Sequence, residues 1–296
     1  MAVTTQGTTA NYSLPTNIES RPIVILGAGT LGRRIAMTYA TRGGVVRIYD
    51  ISEGPLNDAK KFIEAELPAL LKSRPGGQPA TLEYVTDLLA AVKDAWYIVE
   101  SVPEIPSLKI DILGQLDEIA EPDAIIGTNS SSYESSELIG KVKHPERVLN
   151  THYGQPPEFP QLELMTDGHT DERIFDLLTE ELPKYGFVAA AARVESVGFI
   201  TNRVWAAIKR ESLAVVAEGV SSPADFDRLW LAAGLGTMGV FRLIDKVGLD
   251  VALEIENNYL KKFPYIPTKS RDLLKSYVDQ GNLGVKSGEG FYNDYR

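Results

Sequence analysis

Histidine is scarce in this chain, and of the three present one stands where proton transfer would be useful. His152 follows the apolar run Val148 to Thr151 and precedes Gly154-Gln155-Pro156-Pro157, so it falls where a strand gives out and side chains project into the cleft above a sheet. Glu163 lies between Leu162 and Leu164 in the next apolar run, where a buried carboxylate needs a partner. A carboxylate bonded to one imidazole nitrogen fixes the tautomer and stabilises the imidazolium, leaving the other nitrogen to take or return a proton. His144, in Lys143-His144-Pro145-Glu146, and His169, in Asp167-Gly168-His169-Thr170, read as loop residues. With a single suitable histidine and no cysteine, the chain offers no zinc site, and no metal is expected.

A second constellation precedes the first. Gly27, Gly29 and Gly32 stand in G-x-G-x-x-G spacing after the apolar run Ile23 to Leu26. The first glycine makes a tight turn, the second admits a pyrophosphate to the backbone, and the third lets the following helix press on the sheet. That helix begins near Thr30, and its free N–H groups, with those of Thr30 and Leu31 among the first, face the phosphates. Asp50 closes the next apolar run, Val45 to Tyr49, about twenty residues beyond the glycine turn, where a carboxylate grips a ribose 2′-hydroxyl. Ile51 and Ser52 follow, with no arginine for a 2′-phosphate, so the expected cofactor is NAD rather than NADP.

Further polar groups fall at the same edge. The run Trp96 to Val99 ends in Glu100-Ser101-Val102-Pro103-Glu104, which puts Ser101, Val102 and Glu104 beside the cofactor. Asn129-Ser130-Ser131-Ser132 follows Ala124 to Thr128; turn and cap chemistry accounts for Ser130 and Ser132. Asn202 is a polar residue at the start of a largely apolar helix, readable either as a cap or as a core amide.

The elements that must position these groups alternate strand and helix. A helical pattern runs from Pro55 to Leu71, closed by Arg74-Pro75-Gly76-Gly77-Gln78-Pro79, and is expected as a hairpin or flap beside the cofactor. Leu82 to Val85 reads as a strand, Asp87 to Val92 as a short helix, and Pro106 to Ile119 carries apolar residues at helical period. A helix from about Asp171 to Tyr185 and a last strand at Phe187 to Ala190 follow. From Phe199 the pattern is helical only; Phe199 to Glu218 is apolar on more than one face, and Ser222-Pro223 reads as an N-cap with proline in the first helical position. The expected organisation is a flexible tail over 1–20, a Rossmann-like α/β dinucleotide-binding domain over 21–195, and an all-α C-terminal domain over 196–296.

Composition narrows the function classes. The 296 residues are 44% hydrophobic and 24% charged, enough for a sizeable core and about two domains. A formal charge of −10 makes nucleic acid and anionic membranes poor partners. No apolar run approaches the roughly 18 residues needed to span a bilayer. Residues 1–20 carry neither a secretory nor a mitochondrial signal pattern, so a cytoplasmic protein is expected.

Taken together and in order, the glycine turn with Asp50, Val99-Glu100-Ser101-Val102-Pro103-Glu104 with Lys109, Thr128-Asn129-Ser130-Ser131-Ser132, Thr151-His152-Tyr153-Gly154-Gln155-Pro156-Pro157, Leu162-Glu163-Leu164, Gly198-Phe199-Ile200-Thr201-Asn202-Arg203-Val204 and the segments around Met238 to Asp250 and Leu283 to Tyr292 resemble the L-3-hydroxyacyl-CoA dehydrogenase family over nearly the whole chain from about Arg21. The resemblance implies NAD-dependent oxidation of an alcohol beta to a carbonyl, or the reverse reduction, and a helical domain that makes a homodimer. It gives His152 the role of general base, Glu163 that of its orienting carboxylate, Ser131 the hydroxyl at the substrate oxygen and Asn202 the amide near that oxygen. Glu104, Lys109 and Asn129 fall at cofactor positions. The chain departs from the family at His152-Tyr153-Gly154-Gln155-Pro156, where a glycine replaces an aromatic and Gln155 replaces a shorter amide in the catalytic loop, which predicts a reshaped pocket. The segment after Asp50, which meets CoA in CoA-using members, is shorter; Lys60, Lys61, Lys72 and Arg74 are its candidates for phosphate contact. The expected substrate is therefore an acyl-CoA, with a small free keto or hydroxy compound or an imine as the alternative, and a non-catalytic NAD-binding structural protein as the alternative of another class.

Overall fold

The computed structural model describes residues 12–295. The chain divides into two compact units between Phe199 and Ile200, where the sequence placed the break after Glu195.

The first unit is built on one eight-stranded sheet: β1 (Ile23–Leu26), β2 (Val45–Tyr49), β3 (Thr81–Val85), β4 (Tyr97–Glu100), β5 (Ile125–Thr128), β6 (Val148–Tyr153), β7 (Gln161–Met165) and β8 (Val188–Ala192), in the order β3-β2-β1-β4-β5-β6-β7-β8. The first six run parallel; β7 is antiparallel to β6, and β8 is parallel to β7. Helices α1 (Thr30–Tyr39), α2 (Glu53–Lys72), α3 (Leu88–Val92), α4 (Pro106–Ile119) and α5 (Glu172–Glu181) cover the sheet. Helices on both faces explain why β1 is apolar at every position. Ile23 and Ile25 enter the core shared with Ile35, Tyr39, Leu56 and Ile63, while Val24 and Leu26 enter the one shared with Leu113 and Leu116. Strand order reverses around β1, between β2 and β4, which opens a ligand crevice at the carboxyl ends of these strands.

Several boundaries differ from the sequence reading for identifiable reasons. The expected tail is held at its described end: Tyr12 is buried, its hydroxyl donates to the Asp123 carbonyl at 3.0 Å, and its own carbonyl accepts from Arg173 at 2.8 Å. The rest of the expected tail, residues 1–11, lies outside the described residues. The expected flap is a helix packed on the body, with Leu56, Ala59, Ile63 and Leu67 of α2 buried and the guanidinium of Arg33 4.7 Å from the Phe62 ring. After α5 the chain tightens into a 3₁₀ turn, Leu182–Tyr185, at Pro183, which lacks the N–H that would continue the α-helix.

Inside the first core, three phenols meet. Tyr153 bonds Tyr39 at 2.6 Å and Tyr97 at 3.0 Å through their hydroxyls, tying the strand that carries His152 to α1 and β4. Burial pushes the Tyr97 hydroxyl up to about 12 and those of Tyr39 and Tyr153 well above 10, so all three stay protonated donors.

The second unit is helical: α6 (Thr201–Ala217), α7 (Pro223–Ala232), α8 (Val240–Val247), α9 (Leu249–Lys262) and α10 (Lys269–Val278), around a core of Leu213, Phe241, Ile244, Leu249 and Leu274. Ser222 caps α7 by accepting from the Asp225 N–H, as the Ser-Pro pair predicts. Among the described residues no helix is long and apolar enough to cross a membrane.

Candidate active site

The glycine turn joins β1 to α1 at the crevice. Gly27 has φ +100°, and a Cβ there would stand 2.5 Å from the Ser101 carbonyl, so the turn and the loop after β4 close on each other only because that side chain is missing. A Cβ at Gly32 would collide with the Gly27 carbonyl, which is the close helix–strand contact the spacing predicts. Gly29 and Thr30 are exposed, and α1 has no side-chain cap. The first N–H groups of the helix thus lack intrahelical acceptors and are open to an anion.

Asp50 leaves β2 beside this turn. Its carboxylate accepts from the Ala28 N–H at 3.1 Å and the Ser52 N–H at 3.2 Å, which fixes it against the glycine turn; Ile51 points to solvent, 84% exposed. Donors without acceptors, a cleared backbone and an acid at the ribose position fit a dinucleotide.

The loops after β4 and β5 are organised by a group the sequence reading passed over. Glu100, fully buried at the end of β4, accepts from Lys109 Nζ at 2.7 Å, the Thr128 hydroxyl at 2.6 Å and the Val102 N–H at 2.8 Å. A carboxylate within an apolar strand, which needs a partner if buried, is the signal that marks Glu163, and it applies equally to Glu100 at the end of β4. Lys109 also reaches Glu104 at 3.3 Å. Glu104 in turn accepts from the Ser130 hydroxyl at 2.7 Å and the N–H groups of Ser131 at 3.1 Å and Ser132 at 3.0 Å. Burial would raise the Glu104 carboxyl, but these bonds and the Lys109 charge outweigh it and hold it below its ordinary value. Glu104 and Lys109 therefore fasten the loops rather than stand free in the crevice. Ser131 is left exposed at the turn they hold, and Asn129 joins the Ser101 hydroxyl, at 3.3 Å, to the Tyr153 N–H, at 3.0 Å.

His152 lies inside β6 rather than beyond it, because pairing with β7 carries the strand through Tyr153. Its direct cross-strand partner is Glu163, and the two side chains meet, Nδ1 to Oε2, at 3.0 Å. Glu163 is 3% exposed and His152 15%, so the bond is largely out of water while the ring keeps an open side. The flat face of the imidazole lies on Phe199, with centroids 4.6 Å apart and planes 11° from parallel.

Gln155 is exposed on the β6–β7 connection and its carbonyl accepts from the Phe159 N–H. The glycine before it leaves no hole: a Cβ at Gly154 would stand 2.5 Å from the Phe159 carbonyl and 2.6 Å from the Gln161 amide. The connection is also tied to α1, where Arg34 donates to Glu158 at 2.7 Å and to the Pro156 carbonyl at 3.3 Å. Asn202 belongs to the second unit, in the first turn of α6. His144 bonds Asp117 at 3.2 Å from a half-exposed position and takes no part in the His152–Glu163 contact. A cleft of about 280 Å³ bordered by Arg21, Ile23, Arg42, Val45 and Tyr185 lies at the amino ends of β1 and β2 and contains none of the site residues.

Comparison with known proteins assigns both units of the chain to one family. Residues 22–193 match the model of the 3-hydroxyacyl-CoA dehydrogenase NAD binding domain, and residues 198–294 that of the 3-hydroxyacyl-CoA dehydrogenase C-terminal domain. The chain is 27% identical over 284 residues to 5-formyl-3-hydroxy-2-methylpyridine 4-carboxylate 5-dehydrogenase of Mesorhizobium japonicum, covering 92% of this chain and 90% of that one. Among solved structures, (S)-3-hydroxybutyryl-CoA dehydrogenase of Ralstonia eutropha is similar at TM-score 0.81 and 26% identity, covering 92% of this chain and 98% of that one. A diketoreductase described as acting on dicarbonyl compounds is similar at TM-score 0.77 and 29% identity, with the same coverage. The glycine turn and Asp50 lie within the segment that matches an NAD binding domain, and the chain belongs to the 3-hydroxyacyl-CoA dehydrogenase family of NAD-dependent dehydrogenases acting on CH–OH groups.

Proposed function

We propose that the protein interconverts a 3-hydroxy and a 3-keto compound, with His152 and Glu163 as its acid–base pair. The observation that carries this reading is the 3.0 Å bond between them at the carboxyl edge of the sheet. NAD supplies the hydride acceptor, or NADH the donor. Gly29, Thr30 and Leu31 would hold its pyrophosphate by backbone N–H groups, Asp50 would hold its ribose, and Ser101, Val102 and Asn129 would line the wall beside it. In oxidation His152 Nε2 takes the hydroxyl proton as the carbinol carbon gives up its hydride; in reduction the imidazolium returns that proton to the oxygen. Glu163 stabilises the imidazolium through Nδ1, and Ser131, exposed at the turn that Glu104 holds, donates to the substrate oxygen.

The acyl carrier has two readings. Lys60, Lys61 and Lys72 are exposed on α2 and suit the phosphates of CoA. Arg74 does not, since its guanidinium is spent on the Tyr185 carbonyl. Packing of α2 against the body favours the second reading, a small free dicarbonyl or hydroxy acid. Leu229, Leu231 and Leu235, exposed on and just after α7, support a homodimer, which light scattering tests.

NADH consumption with acetoacetyl-CoA, free acetoacetate and simple diketones decides among these. Turnover of any β-dicarbonyl supports the proposed reaction; saturation only with the thioester supports the CoA reading; failure with all, while NADH still binds, refutes the dehydrogenase reading of the pair in favour of a non-catalytic NAD-binding protein.

A further inference from the structure

Three non-glycine residues among those described have positive φ: Asn17 at 52°, Asp94 at 61° and Phe199 at 56°. Asn and Asp tolerate the left-handed region because a short polar side chain can bond locally. A bulky aromatic does not, and it persists there only where its surroundings over-determine it. Phe199 is also buried, and its ring lies flat on the imidazole of His152.

The turn that forces this conformation is anchored to the strand that carries Glu163. The Phe199 N–H donates to the Ser196 carbonyl at 2.9 Å and the Ser196 hydroxyl donates back to the Phe199 carbonyl at 3.0 Å, while the Ser196 N–H reaches the sulfur of Met165, the last residue of β7, at 3.2 Å. Two restraints on His152 therefore issue from β7: Glu163 at the ring's edge and, through Met165 and Ser196, Phe199 at its face.

They restrain different motions. A single bond at Nδ1 fixes the tautomer but leaves the ring free to swing about that contact, carrying Nε2 off the line of proton transfer. A parallel aromatic face blocks the swing and keeps water from that side. We infer that Phe199 is a positioning residue for the acid–base step, holding the His152 ring plane so that Nε2 meets the substrate oxygen. This rests on the proposed role of His152.

The test is kinetic and spectroscopic. Phe199→Leu should lower kcat about tenfold or more while KM for the carbonyl substrate and the NADH Kd stay within about threefold, and Phe199→Tyr, which keeps the flat ring, should recover kcat to within about threefold. In the unaltered protein, whose three histidines can be told apart by single substitution, the His152 ring protons should resonate upfield of those of His144 and His169 through the ring current of Phe199. A Leu variant with kcat within threefold, a defect confined to KM, or a His152 signal without the upfield displacement overturns the inference. The last readout needs no variant at Phe199 to fold. Activity in His152→Ala overturns instead the reading of His152 on which it stands.

Discussion

His152 and Glu163 occupy one register position of the β6–β7 ladder, and that antiparallel pairing is what brings their side chains together. The proposed acid–base pair is thus held by backbone bonds on both sides rather than by a loop, which is the kind of support a proton-transfer geometry needs. Glu163→Gln keeps size and a hydrogen-bonding group but removes the charge that stabilises the imidazolium. It should lower kcat by roughly 10²–10³, with NADH affinity unchanged; His152→Ala should lower it by roughly 10²–10⁴. Single-turnover rates at saturating NADH measure both, and a Gln variant within threefold of the parent would remove Glu163 from the mechanism.

Asp50 has the proposed role of holding the cofactor ribose. Because its carboxylate is already fixed by the Ala28 and Ser52 N–H groups, it offers a ribose hydroxyl a pre-oriented acceptor. Asp50→Ser should weaken NADH by roughly tenfold or more and narrow the preference over NADPH, whose 2′-phosphate the wild-type acid repels. Fluorescence titration with both nucleotides measures this. Equal affinity of the wild type for NADPH would contradict the reading of Asp50.

Lys109 and Glu100 form the most deeply buried ion pair near the crevice, at 1% and 0% exposure. Lys109→Met leaves the Glu100 carboxylate with hydrogen bonds but no countercharge, at a cost of about 3–5 kcal/mol. Adding Glu100→Gln removes the stranded charge, so the double variant should be more stable than Lys109→Met alone. Chemical denaturation of the set decides it. A single variant as stable as the parent would mean that Lys109 neutralises nothing.

Much of this was legible in the sequence because the informative residues are local. β1 and α4 fall where an apolar run and a helical period put them, and the glycine turn needs only its own spacing. What escaped depends on contacts between distant segments. The extension of β6 to Tyr153 comes from β7, not from its own polar end, and the antiparallel direction of β7 leaves no mark in its residues. The sequence leaves Tyr12 in the tail because its partners, Asp123 and Arg173, lie more than a hundred residues away. The sequence pattern makes Phe199 the first residue of a helix, for apolarity cannot report a left-handed φ. Glu100 is legible by the same reasoning as Glu163, since each is an acid within an apolar strand and needs a partner if it is buried.

The acid limb of stability should be set by carboxylates of this kind. Arg21 donates to both oxygens of Asp123, at 2.6 and 2.8 Å, and to the Ala95 carbonyl, pinning the chain before β1 to the segments before β5 and β4. The hydrogen bond from Arg21, more than any other influence, holds the Asp123 carboxyl below its ordinary value, and burial only partly opposes it. A depressed folded-state pKa means that the unfolded chain binds the proton first. The stabilisation is therefore complete above the unfolded value of about 4 and is lost as pH falls through the lower folded value. Asp117, held down by the Lys143 N–H and by Arg147 against its own burial, works in the same direction. Asp123→Asn should accordingly cost roughly 1–3 kcal/mol at pH 7 and progressively less as the pH drops below about 4, so that the stability curves of variant and parent converge in acid. Urea unfolding between pH 7 and pH 3 measures the gap. A gap that stays constant or widens on acidification would show that Asp123 is not ionised against Arg21 in the folded protein.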